Sequence, residues 1–219
     1  MRDKPTLQLS EVFYSIQGES SFAGYPCLFF RLSGCNLRCS YCDAKYTYEE
    51  PATPTTVSDL LIEAAQYPNV HHIEITGGEP LLQEEVYPLM DGLLAAGRTV
   101  LLETNGSLGI ERVPKEVIRI VDLKCPDSTM AEKMNLANLY LLMPHDEIKF
   151  VLSSRADYDW AKAMMGEHRL AEKAKVILSP VTNRLQPALL AQWLMADALP
   201  ARLQLQLHTL LWPGLKRGV

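Results

Sequence analysis

The 219-residue sequence predicts an α/β fold built on a mainly parallel sheet. Three observations carry that expectation. Short β-rich runs alternate with stretches of helical period, the pattern of successive βαβ units. The length and an apolar content of 47% fit one domain, residues 1–219, around a single substantial core. The chemically versatile residues also fall just after the strand-like runs, where open α/β sheets and β/α barrels carry their sites. A doubly wound sheet and a partial barrel fit this pattern equally well.

The strand-like runs are Cys27–Leu32, His71–Thr76, Thr99–Glu103, Ile118–Leu123, Glu147–Leu152, Lys175–Ser179 and Arg202–Leu207. Helical patterns occupy Val57–Tyr67, Leu82–Ala96, Ala131–Leu142, Arg155–His168 and Pro187–Asp197. Ser58, ahead of DLLIEAA, is the expected cap of the first helix, and Gly97 the expected stop of the second. The chain carries no internal repeat, low-complexity segment or long charge run.

A formal charge of −5 gives no electrostatic reason for a nucleic-acid partner. No apolar stretch approaches the roughly 18 residues that span a bilayer, so no membrane partner is expected. MRDKPTLQLSEVFYSIQGE lacks the apolar core of a secretory signal, which points to the cytoplasm, where thiols stay reduced. Five cysteines are present, and three of them lie within eight residues. That clustering argues for a metal site rather than a disulfide framework.

The triplet reads SGC-NLRC-SYC, placing Cys35, Cys39 and Cys42 in a C-x3-C-x2-C spacing after a strand. Thiolates on such a loop can converge on an iron–sulfur cube, one per iron, leaving the fourth iron open to a ligand. Structural zinc is the alternative, with His71 or His72 as a fourth ligand. Cys27 and Cys125 are too isolated to build a second all-thiolate cluster. Cys27 reads as a buried structural thiol. Cys125 follows Lys124 near the face that carries the site.

After HHIEIT comes Gly77-Gly78-Glu79-Pro80, where glycines permit close backbone approach and Glu79 can accept from an ammonium group. The cysteine spacing, Tyr41 before the third cysteine and GGEP together resemble the radical S-adenosylmethionine (SAM) superfamily. That resemblance implies an open partial β/α barrel and a [4Fe–4S] cluster held by Cys35, Cys39 and Cys42. It also implies S-adenosylmethionine chelated at the open iron, as the source of a 5′-deoxyadenosyl radical. By the same resemblance, Tyr41, Cys42, Asp43, Gly77, Gly78 and Glu79 contact the cofactor. So do Glu103, Thr104, Asn105, Asp122, Leu123, Lys124 and Ser179, at the ends of later strands.

The chain ends are more specific. Glu11–Glu19 reads EVFYSIQGE, Arg31 closes the next strand, and Gln204–Trp212 reads QLQLHTLLW before Lys216-Arg217-Gly218-Val219. These segments resemble the 7-carboxy-7-deazaguanine synthase family, ring-contracting lyases of queuosine and other 7-deazapurine pathways. The resemblance implies 6-carboxy-5,6,7,8-tetrahydropterin as substrate, contracted with loss of ammonia, and S-adenosylmethionine regenerated in each cycle. Segments of about 10–32 and 202–219 would then build the substrate pocket, with Ile16, Gln17, Gly18, Glu19, Arg31, Thr76, His208 and Val219 as contacts. Gln17 and Glu19 suit the polar pterin edge, Arg31 suits a carboxylate, and the Val219 carboxylate is expected to close over the substrate. A homodimer and a flavodoxin-like one-electron donor are further implications.

One departure stands out. The family commonly places a hydroxyl residue for Mg2+ two positions beyond the third cysteine, and here that residue is Ala44. A methyl group offers no oxygen to a hard cation. Two rivals stay open on sequence alone: a glycyl-radical activating enzyme and a non-catalytic metal-binding module.

Overall fold

The computed structural model describes residues 5–215 and 217–219; Lys216 of the terminal motif lies outside them. Among these residues nine strands form one sheet: β1 (Thr6–Ile16), β2 (Pro26–Leu32), β3 (Thr53–Thr56), β4 (His72–Gly77), β5 (Thr99–Thr104), β6 (Ile118–Asp122), β7 (Glu147–Leu152), β8 (Lys175–Pro180) and β9 (Arg202–Leu203). The order across the sheet is β3-β1-β2-β4-β5-β6-β7-β8-β9. β1 is antiparallel to both its neighbours, and all pairs from β2 to β9 are parallel. The helices are α1 (Tyr46–Glu49), α2 (Val57–Ala65), α3 (Val86–Ala95), α4 (Arg155–Glu167), α5 (Leu170–Lys173), α6 (Pro187–Asp197) and α7 (Leu207–Leu211).

Strand alternation sorts the side chains onto two faces with different jobs. Ile73, Ile75, Val100, Leu102, Val121, Ile148, Phe150, Leu152, Val176 and Leu178 share one core with Leu60, Leu89, Leu93, Tyr158 and Leu190 of the helices. Each such fully buried aliphatic or aromatic side chain contributes about 1.5–3 kcal/mol. Many of the intervening positions are polar, among them Glu74, Thr76, Glu103, Asp122, Lys149 and Ser179, with Leu101, Ile120 and Ile177 buried between them. On that inner face only a small apolar cluster forms, Phe13, Cys27 and Phe29, with the two rings stacked 4.6 Å apart. Cys27 is thus the buried thiol expected of it.

The sheet is curled. In a flat sheet at about 4.8 Å per strand, β2 and β9 would stand about 29 Å apart. Instead the hairpin between β1 and β2 bridges to the far side. Ser21 N–H donates to Glu147 at the start of β7, at 2.9 and 3.1 Å. The Gln204 side chain brackets the Ser20 backbone at 2.8 and 2.9 Å. With β3 and β9 as free edges, this is an open partial barrel.

Several boundaries differ from expectation, each for a local reason. The N-cap of α2 is Thr56, not Ser58, because only Thr56 has a carboxylate three residues on; it forms a capping box with Asp59. α3 starts at Val86 rather than Leu82, which puts Pro88 in the first turn, where its missing N–H costs nothing. Gly97 does end that helix: its φ is +74° and the N–H groups of Gly97 and Arg98 close on Leu94 and Leu93.

The helix expected over Ala131–Leu142 is absent, replaced by 3-10 turns at Ala131–Lys133 and Leu136–Tyr140. Asn135 caps Ala137 N–H there. Asn138 spends its amide on Gly106 O, Leu108 O and Ile110 N–H, local bonds that compete with a continuous helix. The last strand stops at Leu203 instead of Leu207, because the chain leaves β8 to meet the hairpin, where Leu207 N–H donates to Gly18 O at 3.1 Å. β1 and β3 are additional strands; a bulge at Leu9–Glu11 and Pro54 obscure them in sequence.

Candidate active site

At the carboxyl ends of the parallel strands, the cysteine loop between β2 and α1 is pinned from every side. Ser33 Oγ and Gly34 N–H donate to Thr47 O at 2.6 and 2.7 Å. Ser40 N–H reaches Ser128 O at 3.0 Å, and Ser40 Oγ reaches Asp127 O at 2.7 Å. Arg184 donates to Ser40 Oγ and O, both at 2.9 Å.

The two glycines of GGEP hold this loop through their backbone. Gly78 and Glu79 N–H groups donate to Leu32 O and Gly34 O at 3.1 and 2.8 Å. A Cβ on Gly77, whose φ is +148°, would stand 2.2 Å from Leu32 O, and one on Gly78 would stand 2.1 Å from Gly34 O. Backbone meets backbone here, and no side chain fits between.

Glu79 is not an open acceptor for an ammonium group. It is fully buried, and its oxygens take Leu81 N–H (3.0 Å), Asn105 N–H (2.7 Å) and Thr104 Oγ1 (2.9 and 3.0 Å). Burial pushes its carboxyl up to about 6 against these bonds. Glu79 therefore couples the β4 and β5 loops, which aligns Asn105 with the cysteines: Asn105 Nδ2 donates to Asn36 Oδ1 at 3.0 Å and points at Cys35 Sγ at 3.7 Å.

In kind the donor set suits an iron–sulfur cluster, although among the described residues no three such side chains stand assembled as a metal site. Cys35, Cys39 and Cys42 are free, partly exposed thiols. Burial raises the Cys39 thiol, Lys124 opposes that, and Cys42 and Cys35 are close enough to add to it. Leu37 N–H and the Asn105 amide both point at Cys35 Sγ, the kind of donor that tunes cluster thiolates. The histidines of the zinc alternative lie elsewhere. His72 opens β4 at the opposite end, about 17 Å along the strand from Gly77, and packs against Phe22 and Tyr25.

Other expected cofactor contacts gather around the same loop. Tyr41 OH donates to Val151 O at 3.2 Å, across the mouth to β7. Asp43 is exposed and Leu123 buried. Lys124 Nζ pairs with Asp122 Oδ2 at 2.6 Å, and Asp122 Oδ1 is a buried acceptor with no partner among the described residues. Ser179 lies buried two strands from Asp122. Cys125 is fully buried, and burial pushes its thiol well up, which makes it inert.

Below this rim the inner face carries a buried charge network. Lys149 Nζ lies 2.9 Å from Glu19 Oε2, contacts Glu103 Oε1, and is 4.0 Å from Asp122 Oδ2. Glu19 Oε1 accepts from Gln206 Nε2 at 2.8 Å. Burial alone would raise Glu19, but the Lys149 charge and these hydrogen bonds hold it down at about 2. Gln17 donates to Glu74 and accepts from Glu19 N–H at 2.9 Å. Burial raises Glu74 well above the carboxylate range, with Glu103 and Glu19 adding to it.

The chain ends meet on this face. Ile16 ends β1 above Gln17, and a Cβ on Gly18 would stand 3.2 Å from His208 Nδ1, so hairpin and α7 are in contact. Thr76 is buried on β4, opposite Arg31 in the β2 register. Arg31 does pair with a carboxylate of the chain: Nε to Glu11 Oε1 is 2.8 Å. Its terminal nitrogens make no hydrogen bond among the described residues, leaving the forked edge for a ligand. Glu11 also accepts from Tyr46 OH at 2.9 Å and from Gly218 N–H at 3.3 Å, which brings Val219 to the same mouth.

Glu11, Glu74 and Lys149 were not singled out from sequence. The signal was present for two of them. A charged residue at the centre of an apolar strand, HIEIT or EIKFVL, must face a polar interior or be paired.

The curled sheet, the cysteine loop and its GGEP buttress define a radical SAM enzyme. Residues 31–166, more than half the chain, match the radical SAM superfamily, and the chain belongs to it. Membership brings a [4Fe–4S] cluster and S-adenosylmethionine. The chain is 44% identical to 7-carboxy-7-deazaguanine synthase of Chlorobaculum tepidum, over the whole of both chains. It is 41% identical to that of Koribacter versatilis, covering 97% of this chain and all of that one. The chain belongs to the 7-carboxy-7-deazaguanine synthase family. The crystal structure of QueE from Escherichia coli shares the fold, with a TM-score of 0.77 at 23% identity, covering 92% and 94% of the two chains.

Proposed function

We propose that this chain contracts 6-carboxy-5,6,7,8-tetrahydropterin to 7-carboxy-7-deazaguanine with loss of ammonia, a step of queuosine biosynthesis. One observation supports it above the others: both chain ends converge on the polar inner face beneath the cysteine loop. Gln17–Glu19 and Gln206–His208 meet at the base, and Glu11–Arg31 and Gly218 meet at the rim. A pterin edge presents N–H donors and acceptors together, which Glu19, Gln17 and His208 match, while the free fork of Arg31 beside Thr76 suits its carboxylate.

Cys35, Cys39 and Cys42 hold three irons. Tyr41, Asp43, Gly77, Gly78, Thr104, Asn105, Leu123, Lys124 and Ser179 line the cofactor, and the unpartnered Asp122 oxygen accepts one of its N–H or O–H groups. When bound, cluster and cofactor supply reversible hydrogen-atom abstraction from substrate carbon. The protein orients the pterin through Arg31 at one end and the Glu19 carboxylate at the other. Val219 closes the mouth against water. The chain works as one domain, in the cytoplasm, as a homodimer supplied by a flavodoxin-like donor.

Anaerobically reconstituted protein with reductant, S-adenosylmethionine and the carboxytetrahydropterin is the test. Deazaguanine absorbance with one ammonia per product supports the reading. Iron-loaded protein that forms neither contradicts it.

Magnesium stimulation is expected to be weaker than in relatives with a hydroxyl two residues past the third cysteine. The Ala44 carbonyl does not substitute for that hydroxyl, since it already accepts from Thr47 N–H (3.0 Å) and Oγ1 (2.8 Å). Turnover with and without chelator measures it. Restoring the hydroxyl with Ala44→Thr should increase the dependence severalfold, and activity abolished by chelation in the native chain contradicts the expectation.

A further inference from the structure

We infer that Lys149 is a positioning residue for substrate recognition, holding Glu19 and Glu103 as the two anionic acceptors that read the pterin N–H groups. The inference rests on the pterin substrate proposed above. Lys149 is the inward residue of β7 between Ile148 and Phe150, which face the helices, and its side chain is 5% exposed. One ammonium here serves carboxylates from three separate segments: Glu19 on the hairpin, Glu103 on β5 and, at 4.0 Å, Asp122 on β6.

The bonding pattern leaves one oxygen of Glu103 free and the second lone pairs of Glu19 available. Glu103 uses Oε1 on the lysine, and its Oε2 makes no hydrogen bond among the described residues. Glu19 has Lys149 on one oxygen and the Gln206 amide on the other. Two carboxylates in one buried patch ionise together only with a cation between them. Of the other basic groups nearby, Lys124 is already paired with Asp122, and His208 acts on Glu19 from the α7 side. Glu74 faces the same patch, where burial and the Glu103 and Glu19 carboxylates raise its carboxyl well above the ordinary value, and it holds Gln17. Without Lys149, Glu19 and Glu103 share a proton, and the site loses an acceptor for an N–H donor.

The test uses the reconstituted holoenzyme. Lys149→Met should load iron and bind S-adenosylmethionine as the native chain does, read by visible absorbance and by the cofactor-induced change in the reduced-cluster spectrum. Its KM for the carboxytetrahydropterin should rise about tenfold or more, the scale of a lost charge-assisted bond, with kcat changed less than about threefold. That KM should fall as pH rises from 6 to 8.5, because Glu19 and Glu103 then ionise unaided, with Glu74, Asp122, Lys124 and His208 as the other facing groups. The native KM should change less over that range, since Lys149 opposes the burial that raises Glu103.

Lys149→Arg should restore the native KM to within about threefold. Adding Lys149→Met to Glu19→Gln should raise KM less than the product of the single effects. An unchanged KM in Lys149→Met overturns the inference, as does a raised KM that is flat with pH. Lys149→Gln is measured in parallel; failure of both variants to load iron also overturns it, by making the lysine scaffold. A native chain inactive on the pterin overturns the substrate reading instead.

Discussion

Replacing Gly78 with alanine is expected to cost the chain its iron. The new Cβ would stand 2.1 Å from Gly34 O and 2.8 Å from Cys35 Cβ, so the cysteine loop itself has to move. Two backbone bonds that fix the loop, Gly78 to Leu32 and Glu79 to Gly34, go with it. Strain and lost bonds together amount to about 3 kcal/mol or more. The measurement is iron content and Tm of the purified variant beside the native chain. We expect less than about one tenth of the native iron and a Tm lower by several degrees. Full iron loading would show that GGEP does not buttress the cluster loop.

The second large effect is expected at Glu79. Glu79→Gln keeps the shape but replaces one acceptor oxygen with an amide donor in a fully buried site. Either orientation sets that donor against Leu81 N–H or Asn105 N–H, and the unmade bonds cost about 2–4 kcal/mol. The β5 loop then loses its tie to β4, and Asn105 drifts from Asn36 and Cys35. Turnover should fall about a hundredfold or more, with iron content reduced less than in Gly78→Ala. Near-native turnover in Glu79→Gln would contradict the coupling role.

The seven parallel strands were legible because each is a short apolar run closed by a turn; the structure moves the limits of six of them little and shortens the last to Arg202–Leu203. β1 was not, since its bulge breaks the alternation by which a strand is read. The absent helix after Met130 shows the opposite error. Its apolar spacing is helical, but two asparagines find better local partners. At the site, the cysteines and GGEP could be read as a pattern. What the pattern could not convey is that Glu79 and both glycines also brace the loop, because that depends on which backbone lies 2–3 Å away. Lys149 shows the limit most clearly. A lysine in EIKFVL signals a buried partner, but its partners come from residues 130 and 46 positions away. Only the curl of the sheet brings them together.

The central claim is that a cluster on Cys35, Cys39 and Cys42 drives ring contraction of a pterin carboxylate on the inner face of this barrel. The most direct measurement is product formation by the reconstituted enzyme with S-adenosylmethionine at about one tenth of the substrate concentration. The account predicts 7-carboxy-7-deazaguanine well in excess of the cofactor supplied, with equimolar ammonia, and none from a Cys39→Ser chain. Iron-loaded native protein that cleaves S-adenosylmethionine to 5′-deoxyadenosine while leaving the pterin unchanged would contradict it.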